Sequence, residues 1–550
     1  MKLKLFLLTL FVIFSLLLGA CGPQVVEETA EEAGEDVEEV VVTEETVEET
    51  EEAAEEVEET VETEEPAVYI DEDRVLHLST NAAVLTLDQQ ATTSLVALFI
   101  TKQMYEGLIY YNFEDEVIEP RIAETYEMST DGLTWTFNLR DDVKFHNGET
   151  LTADDVVFSY NRAKEQPAGE INTASIETVT ALDENTVEIT LEKPVAVFLQ
   201  HVSNIAIVNE KFVTEHNDDI NTDVCGTGPY KADSVDLSLR IEASAFEDYY
   251  RGVANIRHIT WDVVTDSAAA SMALQSGDLD YLQIAFSQYR TMKDNEDLEV
   301  GFQPMRHSIY IGFNCSKPPF DNVLVRQAIA YLIDREAISM VTYEGLAVVD
   351  SLMLHPDLDG MPDYEVLEQY TYDYNPQKGL ELLRQAGYDT SKPIDLGSIR
   401  TYAQSHYASK PTLIIQANLA VYGINLEIET METNAFAAAF YDGDYTMACA
   451  AGAYGVDASA WQKVFGTGGA SNAFFWGNEE LDGLFEQGLS ETDPEVRKDI
   501  YAEVMRILYE EVPATNMAHK TPPVAWRKDL NPLIRIDYPL IYEWNFLPVD

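Results

Sequence analysis

The forty residues from Glu27 to Pro66 carry 21 acidic side chains and no lysine or arginine, the balance being mostly valine, threonine and alanine. Such a segment buries too little apolar surface to offset its ordering entropy, and its like charges repel one another. It predicts an acidic, solvated, disordered tether over 21–66 and confines any packed core to residues 67–550. That remainder is long enough for two or three subdomains around sizeable cores.

Upstream, Lys2 and Lys4 precede an uncharged apolar run from Leu5 to Ala20, and small residues close it immediately before Cys21. About 16 apolar residues fall short of the roughly 20 that a bilayer-spanning helix needs, so 1–20 reads as an export signal. The ending Leu18-Gly19-Ala20-Cys21 resembles a bacterial lipobox. That resemblance implies cleavage before Cys21 and a diacylglyceryl thioether on its sulfur. Each buried methylene adds about 0.8 kcal/mol, so several acyl chains together hold a protein on a membrane. The expected place is extracytoplasmic, at the cell surface or on the periplasmic side of the cytoplasmic membrane.

Residues 67–550 hold 77 acidic against 32 basic side chains, a formal charge of −45. Nucleic acid is excluded as a partner, because its binding needs lysine and arginine to displace counterions. The charge itself fits either cationic ligands or plain solubility and salt adaptation. Three cysteines follow the tether: Cys225, Cys315 and Cys449. Export permits a disulfide, but the odd number leaves one over and nothing in the sequence selects a pair. CxxC and HExxH spacings are absent and the nine histidines are scattered, so no metal or cofactor is expected. Gly226-Thr-Gly lacks the Lys-Ser/Thr of a phosphate loop. With no GxSxG either, the chain reads as a non-enzyme.

Local patterns alternate between strand and helix along the whole length, giving a mixed α/β class. Arg74–Ser79 alternates like a first strand, and a helical stretch is expected through Leu98 to Leu108. Leu133-Thr-Trp-Thr-Phe-Asn-Leu139 alternates as a half-buried strand. Thr152-Ala-Asp-Asp155 opens a helix with capping-box spacing. One helix is expected over Asp321 to Met340, and another opens at Asn375-Pro376 and closes at Gly387.

Several of these segments form an ordered set. Asp131-Gly-Leu-Thr-Trp-Thr-Phe-Asn-Leu-Arg140 and Val143-Lys-Phe-His-Asn-Gly-Glu-Thr-Leu-Thr-Ala-Asp-Asp-Val-Val157 come first. Gly226-Thr-Gly-Pro-Tyr230, Asp248-Tyr-Tyr-Arg-Gly252 and Leu274-Gln-Ser-Gly-Asp-Leu-Asp280 follow. Then come Ile311-Gly-Phe-Asn314, Pro319-Phe-Asp-Asn322, Val325 to Asp334, Leu382 to Tyr388 and Val421-Tyr-Gly-Ile424. Together they closely resemble family 5 extracellular solute-binding proteins, the peptide, nickel and oligopeptide receptors of ABC importers. The resemblance implies a periplasmic-binding-protein-like fold (type II, large class) of two hinged lobes that enclose a ligand. Lobe one would span 67–304 plus 520–550, with an extra subdomain near 112–222, and lobe two would span 305–519. Closure would expel water from the ligand. The protein, a monomer, would then deliver its solute to a membrane permease driven by a separate ATPase subunit.

For the solute, a short peptide or oligopeptide leads and an oligosaccharide is the alternative. Tyr454-Gly-Val-Asp457 occupies the place of a Trp-x-x-Asp pattern whose aspartate pairs with a peptide α-ammonium. Asp457 is thus either a ligand contact, physically sensible for a buried carboxylate, or a turn cap. Arg400-Thr-Tyr402 resembles an Arg-Pro-Tyr stretch whose arginine holds a peptide carboxylate, with the proline missing. Trp461 and Trp476, with Tyr402 and Phe436, either stack on a ligand or belong to the core. His406 alone near these loops is a poor basis for nickel or haem.

Overall fold

The computed structural model describes residues 71–112, 117–166, 169–403, 406–519, 521–535 and 540–548. The signal over 1–20, Cys21 and the tether over 21–66 lie outside the described residues, as does the side chain of His406.

Strand Val75–Thr80 buries every second residue, the period that a half-buried strand requires. It runs parallel to His258–Val263 at one end of a four-stranded sheet completed by Arg240–Ala245 and Tyr230–Asp236. Trp261, Tyr230 and Trp544 fill the core beneath. An inserted antiparallel sheet follows the order Ala123–Met128, Thr134–Leu139, Thr186–Leu191, Ile176–Asp183. With helix Ala153–Glu165 it has its own core, which includes Phe137, Phe145, Tyr160 and Phe198. That helix begins as expected: Thr152 N–H donates to Asp155 Oδ2 at 3.0 Å, closing a capping box. Pro523–Arg527, near the C-terminus, is the middle strand of a third sheet, between Tyr281–Gln283 and Leu298–Phe302. These sheets form the first lobe.

The second lobe is built on a five-stranded sheet in the order Ile424–Met431, Ile394–Tyr402, Met447–Gly452, Ser308–Phe313, Ala514–His519. The first three are parallel, and Ser308–Phe313 is antiparallel to both its neighbours. All six residues of Ser308–Phe313 are buried, as befits a strand covered on both faces.

Two helices depart from expectation. The stretch through Leu98 ends at Thr101 instead of Leu108, because the backbone turns at Met104, whose carbonyl accepts the Gly228 N–H at 3.0 Å. The single helix expected over Asp321 to Met340 is two, Val323–Leu332 and Arg335–Thr342. Ile333 is extended, and Asp334 starts the second helix by accepting the Ala337 N–H at 2.8 Å. The break aims the buried Arg335 at the carbonyls of Ala330, Tyr372 and Asn516. The helix Pro376–Gln385 keeps its expected Asn375 cap. Cys225, Cys315 and Cys449 are all free thiols. Cys225 sits in the core of the inserted sheet and Cys449 in that of the second lobe, where its Sγ donates to the Ala408 carbonyl at 3.0 Å.

Candidate functional site

The chain passes from the third sheet to the five-stranded sheet over 303–307 and returns after His519, and the strand directions decide what faces this hinge. In the second lobe Ser308 starts its strand at the crossing and pairs with Gly452 and His519, the last residues of theirs. Strand Ile394–Tyr402 is parallel to Met447–Gly452, so its carboxyl end, at Tyr402, lies on the same edge. In the first lobe Phe302 ends its strand opposite Pro523, and Gln283 ends its own opposite Val524. Two sheet edges therefore confront each other across the hinge. Open α/β sheets bind their ligands outside such strand ends.

On the first lobe this edge holds a groove of about 380 Å³. Thr80, Asn81, Val264 and Gln283 line it from strand ends, with Gln303 and Met305 from the hinge and Phe99 from helix Leu95–Thr101. Its described lining is made of amides, hydroxyls and apolar groups, and none of it is charged. Such a surface can hydrogen-bond a ligand backbone and cover an apolar substituent.

On the second lobe the edge carries a cluster of tyrosines. The Tyr454 hydroxyl lies 3.2 Å from that of Tyr310 and also reaches Tyr441. Burial, chiefly, raises the pKa of both Tyr454 and Tyr310, keeping them neutral donors. Tyr402 packs against Phe436 with tilted rings whose centroids are 5.0 Å apart, and Tyr454 meets Trp461 edge-on at 4.9 Å. Tyr402, Tyr454 and Trp476 are only partly buried.

The remaining expected contacts are placed differently. Trp461 is wholly buried in the second-lobe core, so it supports Tyr454 from behind and offers a cleft ligand no surface. Asp457 is 3% exposed, and Nη2 of Arg497 donates to both its oxygens at 2.9 and 2.8 Å. It also caps the following turn by accepting the Ser459 N–H. Its carboxylate is thus engaged inside its own lobe rather than held open for an ammonium. Arg400 likewise pairs with Glu429 at 2.9 Å and Asp444 at 3.1 Å. Arg497 carries no local motif, and only its place nine residues after the Gly488 whose carbonyl it reaches hints at an internal role. The glutamines of the groove are equally silent in sequence.

Beside the hinge, a second cavity of about 220 Å³ is lined by Arg306, Asp350, His355 and His519. His519 Nε2 lies 2.8 Å from Asp350 Oδ2, and Asn516 donates to Oδ1 at 3.2 Å. Burial works against the Asp350 carboxylate, but these partners hold its pKa below the usual range. His355 is pushed down to about 3 by burial and by His519 beside it. Among the described residues no group of three His, Cys, Asp or Glu is placed to hold a metal ion.

Known proteins share this architecture. A family profile for bacterial extracellular solute-binding proteins, family 5 (middle region), matches residues 117–472. The glutathione-binding protein GsiB of Escherichia coli K12 is 26% identical over 453 residues, covering 78% of this chain and 85% of GsiB. Among solved structures, the ABC transporter substrate-binding protein CtaP of Listeria monocytogenes superposes with a TM-score of 0.77 at 22% identity, covering 87% of this chain and all of CtaP. A dipeptide-binding protein from a Pseudoalteromonas species, solved with Met-Leu, gives 0.73 at 21% identity over 86% of this chain and all of that one.

Proposed function

Because the chain belongs to the family 5 bacterial extracellular solute-binding proteins, we propose that the cleft between its two hinge edges encloses a short peptide. The chain is a receptor and not an enzyme: it captures a solute outside the cytoplasm for an ABC importer, whose permease and ATPase are separate subunits. The observation that carries the peptide reading is the uncharged groove of amides, hydroxyls and apolar groups at the strand ends of the first lobe; Tyr454 and Tyr402 of the second lobe are proposed as its opposite wall. Amides and hydroxyls satisfy a peptide backbone, while Phe99 and Met305 cover apolar side chains. Glutathione and Met-Leu, the ligands of two relatives, fit this class.

In this reading lobe one is 67–304 plus 520–550 with its extra subdomain near 112–222, and lobe two is 305–519. Tyr402, Tyr454 and Trp476 meet the solute. Asp457 holds the Tyr454 loop through Arg497, and Arg400 braces the sheet. Cys21 carries the lipid that anchors the receptor as a monomer, and the acidic segment spans from anchor to lobes, raising its concentration at the permease.

Isothermal titration with Met-Leu, glutathione and a nine-residue peptide tests this. At least one is expected to bind, and Tyr454→Ala to weaken it about tenfold while leaving the melting temperature within a few degrees. If none binds at millimolar concentration, the peptide reading fails. The same aromatic wall opposite amides and hydroxyls supports an oligosaccharide as the second reading. Quenching of tryptophan fluorescence by oligosaccharides, with no response to peptides, would favour it.

A further inference from the structure

Helix Phe198–Asn204, in the inserted part of the first lobe, touches the second lobe through residues outside the groove lining. Gln200 Nε2 donates to Asp359 Oδ2, and both side chains are buried. Four residues earlier, the Ala196 N–H donates to the Leu489 carbonyl at 3.1 Å. The Leu489 side chain packs against the apolar core of the inserted sheet. His201 is close enough to Asp457 to feel its charge.

From Asp359 the bonds continue into the loop that presents Tyr454. The Asp359 N–H donates to the Val456 carbonyl and the Ala458 N–H donates to the Asp359 carbonyl, both at 3.0 Å. Asp457, between them, is gripped by Arg497, whose Nε donates to the Gly488 carbonyl at 3.0 Å. Gly488 precedes Leu489, so the connections form a ring from one lobe to the other and back. Arg306 of the hinge approaches the same Asp359 carboxylate at 4.0 Å. A buried bond from a neutral donor to a carboxylate is among the stronger hydrogen bonds, and losing it leaves a charge badly solvated.

We propose that Gln200 and Asp359 are positioning residues: their bond latches the inserted part of lobe one onto lobe two and, through residues 456–458, sets the Tyr454 wall of the cleft. The contact between the lobes and the shape of the binding surface are thereby coupled, because the loop is pinned from the opposite lobe. The proposal goes beyond the identity of the solute and does not depend on it.

Hydrogen–deuterium exchange on the full chain without solute tests it. Gln200→Glu sets like charges against each other, and exchange over 454–461, on the lobe that carries no substitution, is expected to quicken about tenfold or more. Gln200→Ala removes the donor more gently and is expected to shift exchange in the same direction. The swap Gln200→Glu with Asp359→Asn restores an N–H···O bond with its roles reversed and is expected to return exchange to the wild-type rate. A merely destabilised helix would not be rescued from the other lobe. Unchanged exchange over 454–461 in the alanine variant, or no recovery in the swap, overturns the proposal. Since no solute is present, failure here is distinguishable from failure of the peptide reading.

Discussion

Asp457 and Arg497 are both buried, and one guanidinium nitrogen serves both carboxylate oxygens. Removing one partner from such a pair strands the other charge, which costs about 3–5 kcal/mol. Asp457→Ala is therefore expected to lower the unfolding free energy in urea by about that amount. Adding Arg497→Leu should return part of it, since two apolar groups leave no orphan charge. An Asp457→Ala protein as stable as wild type would show that the pair holds nothing together. By contrast, Tyr454→Phe removes only the hydroxyl facing Tyr310, with an expected cost of about 1 kcal/mol. Asp457 and Tyr454, three residues apart, thus separate what holds the proposed site from what is proposed to line it.

The turn Gly226-Thr-Gly-Pro-Tyr230 shows how an element can depend on the absence of side chains. A Cβ on Gly226 would lie 2.0 Å from the Met104 carbonyl oxygen, and one on Gly228 would lie 2.6 Å from the Met104 carbonyl carbon. Backbone cannot yield as a flexible side chain can, so Gly226→Ala is expected to cost about 1–3 kcal/mol, read as a lowered urea midpoint. Gly148 differs. Its φ of +85° meets no crowding, and the penalty there is conformational, about 1–2 kcal/mol. Much at this scale is legible in sequence, because strand Thr134–Leu139, the Thr152 capping box and the Asn375-Pro376 helix start depend on neighbours a few residues away. The split at Ile333 is not, since it answers in part to the Asn516 carbonyl on a strand some 180 residues later. The same limit governs the site. Tyr402 ends a strand and Tyr454 lies two residues beyond one, so both can be guessed, whereas the fate of Trp461 and Asp457 depends on packing against helix Pro494–Glu511 and on Arg497 within it.

For the whole molecule, acid is the informative stress. His146 is pushed down to about 4, chiefly by burial, and His355 to about 3. Below the ordinary value of 6.5 the unfolded chain takes up protons on these imidazoles while the folded chain does not, so stability falls as pH drops through that value towards 4. The Asp350 carboxyl, held low, keeps its contribution there and loses it only as pH falls further, through its folded value. The melting temperature is expected to be clearly lower at pH 5 than at pH 7.5, and His355→Gln to flatten the slope. A pH-independent melt would contradict the buried-imidazole account. The proposed anchor predicts a different readout: Cys21→Ser should move the protein from the membrane fraction to the soluble one without altering its melt. The return of Pro523–Arg527 to the middle of a first-lobe sheet also bears on how the chain is made. Tyr281–Gln283 and Leu298–Phe302 leave the ribosome more than two hundred residues before the strand that joins them. The first lobe therefore stays incomplete until almost the whole polypeptide has been synthesised. A chain truncated before Pro523 would expose two unpaired strand edges and be left to proteases.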